Sequence, residues 1–295
     1  MRERFGGTRW WPIVVIVIGG ITGCSAELES NLDRLSEANR LAMDLLVQFS
    51  KASDAANRAV MADTDDASVA FAREAEQGTQ AVEKDADALR PILSDLRYEN
   101  ETGLLDEFTR RFTQYRTLDR SILELAVENT NVEAQRLSFG PVQAAADAFR
   151  DSIQAVQTAA STADRPRVEA LAATAVADVR EIQALQAPHI AELDDAAMTR
   201  IEQRMATAEA SARAAIQGLS SSLQPSSRPR LAEVTAALER FVGLNKEVIA
   251  LSRRNTNVRS LALSLGKKRV LTSACEESLR ALQEALSKRG FSATR

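Results

Sequence analysis

The sequence predicts an all-α fold: two tandem up-down four-helix bundles with coiled-coil-like a/d packing, after an N-terminal signal peptide. Three observations predict it. Of 295 residues, 45% are hydrophobic but only 4% aromatic. Ala, Leu, Arg and Glu dominate, which favours helices and leaves little material for a twisted sheet. Apolar residues recur at seven-residue spacing, the mark of helices packed along a shared seam. Finally, one polar word is written twice, as NTNVEAQRLSFG at 129–140 and NTNVRSLALSLG at 255–266, with seven of twelve positions identical. Chance would give about one.

The chain opens on a basic start, Arg2, Arg4 and Arg9, followed by a twelve-residue apolar run from Trp10 to Ile21. A helix needs about 20 apolar residues to span a bilayer, so this run instead fits the core of a signal peptide covering 1–23. Ile21-Thr22-Gly23-Cys24 resembles the bacterial lipobox. The resemblance implies cleavage before Cys24, lipidation of its sulfur, and attachment of the protein to a membrane through that lipid. Several acyl chains anchor a protein stably without a spanning helix. Ser25, in place of the Asp that retains enterobacterial lipoproteins at the inner membrane, favours the outer membrane. The alternative is a signal peptide cut elsewhere, with Cys24 an ordinary thiol.

Two units follow, 24–160 and 161–295, each expected to be a four-helix bundle. In the first, a helix runs from Ser25 to Ala62, unbroken by Pro or Gly. Asp63-Thr64-Asp65-Asp66 then supplies caps and negative charge for the next helix. That helix reaches about Arg97, with Pro91 kinking or shortening it. The third covers Leu104–Ser138 and is stopped by Gly140-Pro141, and the fourth runs from Val142 to Ala160. The second unit repeats the plan over Arg165–Ala187, Asp194–Ser222, Arg230–Ser264 and Lys267–Arg289. The polar junction at 161–166 is expected to separate two bundles that fold alone.

Phe108, Tyr115, Ile122 and Asn129 lie seven apart, with Leu118, Leu125 and Val132 at the d-type spacing. Val234, Phe241, Val248 and Asn255 repeat this, with Leu244, Leu251 and Val258. Asn129 and Asn255 therefore fall on the apolar seam. A buried Asn there fixes register and helix partner at some cost in stability. Replacing Asn129 by Leu should then raise the thermal stability or leave it unchanged. The alternative is that both asparagines line a small polar ligand site within the bundle. LDRSILEL at 118–125 faces LNKEVIAL at 244–251, with the D/N, R/K, I/V and L/I differences conservative in kind.

Signals for catalysis are missing from the sequence. HExxH, GxSxG, P-loop and GxGxxG patterns do not occur. The lone histidine, His189 beside Pro188, is expected at the surface or at a helix end. Cys275 aligns with Phe149 and is expected to be a buried apolar position. One His without a Cys pair makes no usual zinc site, so no metal, cofactor or catalytic residue is assigned. A net charge of −4, without clustered Lys and aromatics, argues against nucleic acid as partner.

The aromatic-rich start of the third helix, LAVENTNVEAQRLSFG at 125–140 and the short amphipathic helix after it resemble the four-helix-bundle ligand-binding domain of methyl-accepting chemotaxis receptors. Two copies cover 25–290. Ala134 fits an Ala of that pattern, and Ser260 replaces it in the second copy. The resemblance implies an extracytoplasmic domain that senses small molecules, directly or through binding proteins. Such receptors continue into a transmembrane segment and a cytoplasmic coiled coil. Here the sequence ends five residues after Gly290, so the expectation is a lipid-anchored binding module without signalling output. Arg58 is a candidate anion contact, beside Asn129 and Asn255. The partners expected are a small solute, another envelope protein, or a second copy of the chain as a homodimer. The alternative function is a structural envelope protein, a helical spacer or docking surface.

Overall fold

The computed structural model describes the backbone of residues 22–293 and the side chains of 29–290. Residues 1–21 of the signal peptide expected at 1–23, and the Cys24 side chain, lie outside the described residues. All secondary structure within them is helical: α1 (Thr22–Met61), α2 (Asp65–Asp95), α3 (Glu99–Glu128), α4 (Thr130–Leu137), α5 (Gln143–Thr158), α6 (Arg165–Ala191), α7 (Asp195–Ser222), α8 (Arg228–Arg254), α9 (Thr256–Leu263) and α10 (Arg269–Ala293). Single π turns, Ser138–Val142 and Ser264–Lys268, join α4 to α5 and α9 to α10. No described helix is long and apolar enough to cross a membrane.

Local chemistry explains the starts of α2 and α7. Thr64 Oγ1 accepts the Ala67 N–H at 3.3 Å, and Asp194 Oδ1 accepts the Ala197 N–H at 2.6 Å. Asp65, Asp66 and Asp195 add negative charge to these first turns, where the helix dipole favours it. Pro91 and Pro188 both sit inside helices rather than ending them, so α6 runs on past the expected stop at Ala187.

The expected third helices, Leu104–Ser138 and Arg230–Ser264, are corrected. Each breaks inside NTN, at Asn129 (φ 49°) and Asn255 (φ 54°). Asn is among the few side chains that tolerate this left-handed backbone. Gly140-Pro141 does not stop a helix. It sits in a π turn, whose wider winding accommodates a missing N–H. Gly266-Lys267 makes the same turn without a proline, so Pro141 is not its sole cause.

The contiguous bundles expected at 24–160 and 161–295 are also corrected. One left-handed residue between α3 and α4 is no reversing loop, so the chain cannot fold back beside α3 and instead passes forward. The first bundle is α1, α2 and α3 closed by α9–α10. The second is α6, α7 and α8 closed by α4–α5. The repeats have exchanged fourth helices, an internal counterpart of domain swapping. Separate cores record the exchange. Cys275, Leu279, Leu282 and Leu286 of α10 pack with Phe49, Leu89 and Phe108, while Phe149, Ile153 and Val156 of α5 pack with Val179, Leu219 and Phe241. The bundles meet where α4 touches α9 and at the turns beside them.

The predicted seam is half correct. Its first row (Phe108, Tyr115, Ile122, Asn129, and Val234, Phe241, Val248, Asn255) is fully buried. The d-type row is only half-buried, because the second buried row lies four residues after the first: Phe112, Asp119 and Ala126 in α3, and Leu238, Asn245 and Ser252 in α8. A stripe at i and i+4 is the broader face of a globular helix rather than a narrow coiled-coil seam.

Candidate functional site

The two NTN words meet each other. The Thr130 and Thr256 hydroxyls lie 3.1 Å apart, and each accepts the other residue's backbone N–H at 3.2 Å. Asn131 Oδ1 and Asn257 Oδ1 likewise accept each other's N–H at 3.1 Å. Thus each new helix has its free N-terminal donors capped by the opposite repeat. Asn257 Nδ2 donates to Asn129 Oδ1 at 2.8 Å, and Asn131 Nδ2 to Asn255 Oδ1 at 2.9 Å. Asn129 Nδ2 reaches Asp65 Oδ1 at 3.0 Å, and Asn255 Nδ2 the Glu192 carbonyl at 2.6 Å. Arg254 and Glu128, paired at 2.7 Å, brace the crossover from outside. Asn129 and Asn255 are therefore buried, and their side chains are committed to neighbouring segments.

Arg58 is also committed. It pairs with Glu74 at 2.8 Å and Asp54 at 3.1 Å, with its guanidinium 4.5 Å from the Phe71 ring centre. This is a partly exposed clasp of α1 to α2.

His189 lies in the last turn of α6, the helix-end position expected of it, but its surface placement is corrected: it is fully buried. Nδ1 meets Ser252 Oγ and Nε2 meets Glu202 Oε1, both at 2.8 Å, and Arg253 Nε holds the same Glu202 oxygen at 2.5 Å. The Arg253 bond keeps the Glu202 carboxyl below its ordinary range against partial burial, with His189 assisting. Ser, His and Glu follow the order of a hydrolase triad. Ser252, however, is sealed in the core, and its hydroxyl also reaches the His189 carbonyl at 2.9 Å. The network ties α6, α7 and α8 together near the crossover.

A different cluster lies in the first bundle, and sequence reasoning missed it. Lys268, the last residue of the second π turn, and Asp119 of α3 form an ion pair at 2.7 Å, their side chains 1% and 3% exposed. At 2.7 Å the ammonium and the carboxylate are within charge-assisted hydrogen-bond distance. Beyond that contact neither Lys268 Nζ nor Asp119 Oδ1 has a polar partner, and Tyr115 Oη is buried without an aligned hydrogen bond. Ser53 is a polar neighbour of the phenol but closes no aligned bond with it. The Lys268 ammonium sits 5.7 Å from the Tyr115 ring centre, and Phe49 meets that ring edge-on with 5.0 Å between ring centres. Burial pushes Asp119 above its ordinary pKa of 3.8 and pulls Lys268 below 10.5, each restrained by the other's charge.

Two clefts open on either side of the pair. Asp119 and Thr79 floor one of about 420 Å³, between α2 and α3. Lys268 lines the other, of about 220 Å³, with Ser53, Asn57, Ser264, Arg269 and Thr272. Among the described residues, no group of three or more His, Cys, Asp or Glu is arranged to hold a metal.

The second bundle provides an internal control. At the repeat offset, Asn245 stands where Asp119 does, Val142 where Lys268 does and Phe241 where Tyr115 does. There the polar groups are neutral and joined: Ser138 Oγ donates to Gln186 Oε1 and Gln186 Nε2 to Asn245 Oδ1, both at 2.7 Å. The same fold position is thus filled without charge in one copy. The signal was visible in LDRSILEL against LNKEVIAL, where the D/N difference reads as conservative until the position proves buried. No protein-family model, curated protein or solved structure matches this chain.

Proposed function

We propose that this protein is a lipid-anchored, extracytoplasmic binding module, and that its solute site is the Lys268–Asp119 cluster of the first bundle. One observation carries this reading. A buried ion pair with unsatisfied polar atoms is costly, and the second bundle fills the equivalent place with a neutral, bonded chain. The fold therefore does not require the charges, whereas a bound solute would use them. The clefts beside the pair supply access. The anchor belongs to the same proposal and rests on the ITGC motif at 21–24.

A second reading, a helical spacer or docking surface for an envelope protein, draws on the exchanged helices, which clamp both bundles into one body. Thermal melting of the protein against a panel of small polar solutes separates the two. A ligand that binds only the folded state stabilises it by about 2.7 kcal/mol at a hundredfold excess over its dissociation constant. A spacer responds to no solute and retains a protein partner on cross-linking in intact envelopes. For the anchor, Cys24→Ser should abolish acyl labelling and move the protein out of the membrane fraction; unchanged labelling overturns the lipid attachment.

A further inference from the structure

We infer that the 220 Å³ cleft beside Lys268 takes a short-chain organic carboxylate, an inference that rests on the solute-binding reading above. The charge of the cleft selects the head group. Its lining holds two cations, Lys268 and Arg269, and no Asp or Glu. Asp119 lines the other cleft and meets only one side of the ammonium. Lys268 Nζ has no polar partner beyond Asp119, so its other protons have no acceptor. A carboxylate oxygen at this end of the cleft would accept them. Ser53 of α1 and Thr272 of α10 add hydroxyls to the lining, with Arg269, which is exposed and without an ion pair among the described residues.

The rest of the lining selects the tail. Val60, Met61, Leu261 and Leu265 complete the cleft, and Met61 and Leu265 are 77% and 65% exposed. Apolar side chains left in water at the edge of a cation-floored cleft gain from an alkyl chain laid across them. The size fits a solute of few heavy atoms, since pockets for drug-sized ligands begin near about 300 Å³. Neither repeat symmetry nor packing accounts for this combination, because Val142 replaces the lysine in the second bundle.

The test is titration calorimetry of the intact protein with acetate, propionate, butyrate and inorganic phosphate at constant ionic strength. Affinity should rise roughly threefold to fourfold per added methylene until the cleft is full. The double variant Asp119→Asn/Lys268→Val copies the pair found in the second bundle, so it should fold, and it should bind roughly thirtyfold more weakly or not at all. Arg269→Gln should weaken binding without altering the melt of the free protein. Phosphate binding as tightly as propionate would overturn the carboxylate assignment. If a solute of another class binds, and the double variant loses it, the ligand class fails while the binding reading stands. If no solute binds, or binding survives in the double variant, both fail.

Discussion

Thr130 and Thr256 each hold the other's backbone N–H at 3.2 Å, across a sequence separation of 126 residues. That reciprocity marks a local two-fold relation between the repeats, and it lies where both chain segments change bundles. It also explains why one polar word is written twice. The left-handed Asn ends a helix, the Thr caps the opposite new helix, and the second Asn closes the ring of amides. Each of these bonds contributes about 1 kcal/mol, and leaving a buried donor unmet costs more. The word works only as a pair.

Asn129→Leu is therefore expected to destabilise the protein, against the expectation from a simple apolar seam. It places a larger side chain at φ 49° and removes the bonds to Asp65 and Asn257. The loss should be about 2–4 kcal/mol. Asn129→Gly, which relieves the backbone but not the bonds, should recover part of it. Chemical denaturation of both variants decides this, and an unchanged or raised midpoint for the leucine variant contradicts the crossover account.

Cutting the chain between 161 and 164 should not release two halves. The expectation of independent fragments fails because α5 closes the second bundle and α10 the first. Nicked protein should elute as one particle and melt in the same range as intact protein. Separation of the fragments in native buffer would contradict the exchange of helices.

Gly78→Ala should destabilise despite the better helix propensity of alanine. A Cβ there would stand 2.8 Å from Ala52 Cβ and 3.1 Å from its Cα, so α1 and α2 must part. Overpacking of this kind costs about 1–3 kcal/mol against roughly 1 kcal/mol gained from propensity. Gly103→Ala, where the new methyl meets nothing within 4 Å, should be neutral or stabilising. Equal effects at the two sites would show that the close approach does not matter.

Cys275 should ignore thiol reagents until the protein unfolds. Burial pushes its thiol from an ordinary 9.0 up to about 12, with Arg111 opposing only in part. The folded state keeps a proton that the unfolded chain loses above pH 9.0. Its contribution to stability is therefore complete below that pH and is lost as pH rises toward about 12. Labelling kinetics with an aromatic disulfide at pH 8, and melts of wild type and Cys275→Ala across the alkaline range, check both statements. Rapid labelling of folded protein would contradict them.

Much of this molecule is legible in its residues. Helical class, duplication, the capped starts of α2 and α7, the fully buried row through Phe108 and Tyr115, and the burial of Cys275 all follow from local chemistry and spacing. Apart from the duplication and Cys275, which rest on comparing the two copies, these features depend on neighbours within a turn or two, so one-dimensional pattern suffices. What the pattern does not carry is which bundle a closing helix joins. The choice rests on one backbone dihedral at Asn129 and Asn255 and on bonds between residues 126 apart. The same is true of Asp119 and Lys268. Each reads as an ordinary surface charge until the exchange of helices brings α3 against the turn before α10 and buries both together.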